Sequence, residues 1–140
     1  MRRLNNLKLV LSGIVLSCGM AGTAHAESTL ASGPVAGGQQ QTRVACLIVN
    51  LSSAPINFVT KELVGHYSGV LNPDFDDCTS PLRAGAFCSF QANVNNQGQV
   101  APHQEVSCKA VILEAKTNVR GTMLALDPAN GRPLSQTDLR

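Results

Sequence analysis

The sequence predicts an all-β protein, an antiparallel sandwich of six to seven short strands crosslinked by two disulfides. Three observations carry this reading. Apolar residues recur with a period of two rather than 3.6 over most of the chain. Turn signals built on Gly, Pro, Asn and Asp return about every 10 residues. Four cysteines lie in or beside the periodic runs.

A chain of 140 residues has the size of one domain. Its first 26 residues read as a secretory signal cleaved after Ala26. Met1 to Lys8 is basic, Leu9 to Ser17 is a short apolar run, and Ala24-His25-Ala26 has the small-x-small pattern of a signal peptidase site. The apolar run falls short of the roughly 20 residues a membrane span needs. Val15-Leu16-Ser17-Cys18-Gly19 is a competing lipobox that would lipidate Cys18. Leu16 is bulky for that motif, and the Ala-x-Ala site is the stronger candidate.

Removing Arg2, Arg3 and Lys8 leaves 8 basic residues against 9 acidic ones, a net charge near −1. The apparent basicity therefore belongs to the export signal. No basic patch remains to attract nucleic acid or acidic lipid. The exported chain would keep no Trp, one Tyr and four Phe, so its core must come from Val, Leu, Ile and Ala. Cys18 leaves with the signal, and Cys46, Cys78, Cys88 and Cys108 form an even set in an oxidising compartment.

Residues 27–41 are small and polar without a sustained period, and read as a flexible leader before a domain at 42–140. Arg43 to Asn50 is β-branched-rich and apolar on both faces, the pattern of a central buried strand. After the turn Leu51–Pro55, Ile56 to Val64 continues as a strand whose alternation slips at Phe58-Val59, where a bulge is expected. Gly65 to Leu71 reads as a short edge strand. Ala86, Cys88, Phe90, Ala92 and Val94 share one face, with Ser89, Gln91 and Asn93 on the other. Gln104 to Ala115 and Val119 to Leu126 are further strands, and Pro133 to Arg140 a last short one. The whole is Ig-like in broad architecture.

Four cysteines allow three pairings. Cys78 and Cys88 flank a loop holding Pro81 and Gly85 that can close a small ring. Cys46 and Cys108 each sit mid-strand among residues of one face and can meet across two sheets or neighbouring strands. Cys78–Cys88 with Cys46–Cys108 is thus the favoured pairing. A zinc site is the alternative use of the four thiols, but spacings of 32, 10 and 20 lack the close pairs that structural zinc sites use.

Around the first pair, Asp77-Cys78 … Leu82-x-x-Gly85-x-x-Cys88-Ser89-Phe90 resembles a motif of bacterial Ig-like sandwich repeats of the choice-of-anchor type. These occur in secreted and surface proteins. The resemblance covers residues 72–94, and Arg83-Ala84 stands where such repeats carry a small residue and Pro. It implies a spacer or binding unit rather than an enzyme, and its matching positions are structural.

Catalytic, cofactor-binding and metal-binding residues are not assigned. His66 and His103 lie in no catalytic setting, and there is no Gly-x-Ser-x-Gly elbow. Asp74, Asp76 and Asp77 lack the Gly and distal Glu of a calcium loop and read as a solvated acidic loop. Asn50-Leu51-Ser52 fits a glycosylation sequon but sits at a strand end. The expectation is a small non-enzymatic module of the bacterial periplasm or cell exterior, with an unknown protein or cell-envelope partner and no cofactor. The alternative is a small secreted hydrolase or enzyme inhibitor acting through Asn72–Asp77 or Asn95–His103. A pilus-type subunit is a third possibility, disfavoured because the leader lacks the alternation of a donated strand. A histidine meeting a carboxylate or hydroxyl would favour the enzyme. An exposed apolar patch or free sheet edge would favour the binding module.

Overall fold

In a computed structural model, residues 27–36, 43–94, 105–127 and 129–140 are described. Residues 1–26, read as a signal and containing Cys18, the end of the expected leader and the residues around His103 lie outside them. Among the described residues nine strands form two antiparallel sheets. They are β1 (Ser28–Ala31), β2 (Arg43–Asn50), β3 (Phe58–Gly65), β4 (Gly69–Leu71), β5 (Phe75–Asp76), β6 (Phe87–Asn93), β7 (Val106–Ile112), β8 (Val119–Leu126) and β9 (Pro133–Leu139). One sheet has the order β1-β7-β3-β4, the other β5-β6-β2-β8-β9.

Alternation decides which residues meet between the sheets. Val44, Cys46 and Ile48 of β2, Cys88, Phe90 and Ala92 of β6, and Met123 and Ala125 of β8 are buried from one side. Leu63 of β3 and Val106, Cys108, Ala110 and Ile112 of β7 are buried from the other. Phe90 is the one aromatic among the buried side chains of the described residues, and the rest of the interior is mainly aliphatic, as the composition requires. The expected irregularity in β3 is present, with the β3–β7 register shifting between Phe58 and Thr60.

Both disulfides join the favoured pairs. Cys46 of β2 and Cys108 of β7 connect the two sheets, their Cα atoms 6.0 Å apart. Cys78 and Cys88 lie 4.9 Å apart by Cα and tie the residues after β5 to β6.

Two strands exceed the six to seven expected, and one corrects the reading of the leader. Ser28 to Ala31 is not a flexible tail but β1, paired with β7 from Ser28↔Ile112 to Ala31↔Lys109. The segment runs on through isolated pairings of Ser32 with Leu139 and Val35 with Val106. Its hold comes from main-chain hydrogen bonds, which need no alternation of side chains. Only Leu30 and Val35, 2% and 3% exposed, reach the core. By pairing with β7 in one sheet and touching β9 of the other, this segment closes one side of the sandwich. The other new strand, β5, pairs only through Phe75↔Gln91 and Asp76↔Phe90, too short to leave a period.

The opposite side is fastened by a side chain. Lys61 of β3 reaches across to the other sheet, its Nζ donating to Asp76 of β5 and to the Cys78 carbonyl at 2.6 Å.

The two crosslinks should differ in value. They span 62 and 10 residues, and restriction of the unfolded chain grows with the ring closed. Cys46→Ala/Cys108→Ala should cost about 4 kcal/mol and Cys78→Ala/Cys88→Ala a little under 3, as read by urea unfolding. Equal losses would contradict this ranking.

Candidate functional site

Each residue singled out for chemistry has an identifiable setting. His66 follows β3 and is exposed. Its main-chain N–H donates to the Glu105 carbonyl at 2.9 Å, and its ring packs edge-on against Tyr67 with centroids 4.5 Å apart. Glu105 and Ser107 share a shallow hollow of ≈ 350 Å³ with it. The contacts made by His66 are thus a main-chain bond and a ring contact.

The acidic loop is internally committed. Asp76 accepts from Lys61 and from the Cys78 N–H at 2.9 Å. Asp77 accepts from the Ser89 N–H, while its own N–H donates to the Ser89 carbonyl at 3.0 Å. Asp74 lies 3.8 Å from the Arg43 guanidinium. No group of three or more metal-ligating side chains occurs among the described residues.

The loop between Cys78 and Cys88 is fastened at its far end by Asn50. That side chain is fully buried and ends the inward phase of β2. Its amide donates to the carbonyls of Ala54 at 2.8 Å, Leu82 at 3.1 Å and Arg83 at 3.2 Å. Its Oδ1 accepts from the Ser52 N–H and hydroxyl at 3.0 and 2.6 Å. The Asn50 main chain pairs with the same loop, accepting from Gly85 at 2.8 Å and donating to Ala86 at 2.9 Å. Gly85 turns there with φ +70°, a conformation that glycine adopts without penalty. Leu82 pairs in both directions with Ile56 at 2.8 and 3.0 Å and is buried. The loop is a brace, held by covalent, polar and apolar contacts together.

What remains unaccounted for lies on the outer face of the five-stranded sheet. The odd positions of β2 point there, and Leu47 and Val49 are only half-buried. Val49 faces Phe87 of β6 across the ladder. Phe87 is 75% exposed and Leu51, just past β2, is 60% exposed. With Leu124 and Pro133, Leu47, Val49 and Phe87 line a hollow of ≈ 390 Å³. The other end of the same face carries Arg43 and Gln91, so the face grades from apolar to polar. Two signals of this surface stand in the sequence. β2 is apolar on both faces, although only one packs against the second sheet. Phe87 falls in the polar phase of β6, with Ser89 and Gln91.

A further hollow of ≈ 550 Å³ opens where β1, β8 and β9 converge, with Leu30, Lys116, Arg120, Asp138 and Arg140 among its lining. Its cations are partly committed to the scaffold. Arg120 donates to the carbonyls of Thr117 and Val119 at 2.9 and 3.0 Å, and Lys116 to that of Thr29 at 3.4 Å.

Comparison with protein-family models, with curated proteins and with solved structures finds no match.

Replacing Asn50 tests the brace. Asn50→Ala removes the bonds its amide donates to Ala54, Leu82 and Arg83 and those its Oδ1 accepts from Ser52, and should cost about 2–3 kcal/mol in urea unfolding. An unchanged midpoint would mean that the disulfide and the main-chain pairings hold the loop without the Asn50 side chain.

Proposed function

We propose that this chain is an exported, non-enzymatic β-sandwich that works as a binding or structural module in the bacterial periplasm or outside the cell. The observation that carries the reading is the apolar end of the outer sheet face. Leu47, Val49 and Phe87 stand on adjacent strands, where solvent-facing polar residues would serve a free monomer better. A contiguous exposed apolar patch of this kind marks a contact surface. The preferred partner is a protein or cell-envelope component that presents apolar surface. The near-neutral exported chain offers nothing suited to nucleic acid.

Export rests on the sequence of residues 1–26, and two disulfides suit an oxidising compartment. No helix among the described residues is long and apolar enough to cross a membrane. The resemblance to choice-of-anchor Ig-like repeats supports the same reading. Its matching residues, Cys78, Leu82, Gly85 and Cys88, brace a loop and leave recognition to the sheet face.

A charge placed on the patch should abolish binding without unfolding the domain. Phe87→Asp should keep the melting temperature within about 3 °C, as expected for an exposed site. It should lose whatever the wild-type chain retains from periplasmic extract in a pull-down read by mass spectrometry. Identical retention by both chains would overturn the assignment of this face.

A further inference from the structure

Residues 28–36 are held to the sandwich as a bound strand is held to a receptor. β1 lies on the edge of β7 over four paired residues. Across the seam, the Ala31 N–H donates to the Arg140 carbonyl at 3.1 Å, and the Arg140 N–H donates back to Ala31 at 3.0 Å. Ser32 donates to the Cys108 carbonyl at 2.9 Å and accepts from the Cys108 N–H through its hydroxyl at 2.8 Å. Val35 and Val106 exchange two bonds of 2.9 and 3.0 Å. Leu30 and Val35 are the two apolar anchors, packed into a core that includes Val106, Ile112 and Leu139.

Every one of these contacts is non-covalent. The rings closed by the two disulfides begin at Cys46 and end at Cys108, so neither restrains this segment. The residues that follow it, Gly37-Gly38-Gln39-Gln40-Gln41-Thr42, contain no apolar side chain. Removing the segment would uncover the main-chain edge of β7 and the two places filled by Leu30 and Val35. Such an edge is a template for another strand.

Recognition by a main-chain ladder and two side-chain anchors is the chemistry of strand addition, and it does not depend on which chain supplies the strand. We propose that the slot between β7 and β9 accepts residues 28–36 of a second copy, so that molecules associate by exchanging their first strand. The contacts made in trans are those made in cis, so concentration and the connecting segment set the balance. Reciprocal exchange yields a closed dimer, and one-way exchange an open chain. This surface is separate from the outer face of the five-stranded sheet.

The full chain purified from periplasm is concentrated, held for hours just below its melting temperature, cooled and examined by native mass spectrometry. Dimers or longer species should appear in the wild type and in Phe87→Asp, and be lost in Leu30→Asp/Val35→Asp. Association lost in Phe87→Asp but kept in the double variant would overturn the proposal, as would a wild type that stays monomeric. A second measurement does not depend on the double variant folding. A labelled synthetic peptide of residues 27–36 should enter the wild-type chain during the same treatment, and should raise the melting temperature of a folded Leu30→Asp chain by about 4 °C or more. The peptide carrying Leu30→Asp should do neither. Equal behaviour of the two peptides would also overturn the proposal.

Discussion

The bond between Cys46 and Cys108 fixes the centre of one sheet against an interior strand of the other. β2 pairs along most of its length with both β6 and β8, so anchoring it orients three strands at once. The residues in phase with Cys46 form the middle of the core, and the last of that phase, Asn50, catches the loop braced by the second disulfide. The residues out of phase form the apolar end of the outer face. One strand thus organises both the interior and the surface proposed to meet a partner.

Around that centre, the two sides of the sandwich are closed by different physics. One side is sealed by main chain, with residues 28–36 bridging β7 and β9. The other is spanned by Lys61, whose ammonium is drawn toward Asp76 and the Cys78 carbonyl and lies 5.7 Å from the centre of the Phe58 ring. The outer strands there, β4 and β5, have three and two residues. Short edges offer little template for unwanted pairing. The long edge of β7 is covered, and the cover is the segment proposed to exchange.

The sequence made legible whatever is written in alternation. β2, β6, β7 and β8 repeat inward residues at every second position, and Phe58-Val59 breaks that repeat where the bulge lies. The disulfide pairing followed because Cys46 and Cys108 stand in inward phase on separate strands. β1 was not legible because an edge strand can be held by its backbone. Ser28, Thr29, Ala31 and Ser32 carry no period, and Leu30 and Val35 are five positions apart. The apolar patch was half legible. Its residues are visibly apolar, but their proximity depends on the register that sets Val49 opposite Phe87. The role of Asn50 was hidden, since its partners include carbonyls 32 and 33 residues away.

The enclosure of Asn50 gives its sequon two opposite lives. In the nascent chain Asn50-Leu51-Ser52 is an open acceptor for a glycosylating enzyme. In the folded chain the same amide nitrogen is sealed from solvent and points at three carbonyls. A sugar attached before folding would occupy the place of the loop that Asn50 must grip. In a secretory host that glycosylates chains as they emerge, modification and folding would compete for one nitrogen atom, and each glycosylated molecule would be a lost one.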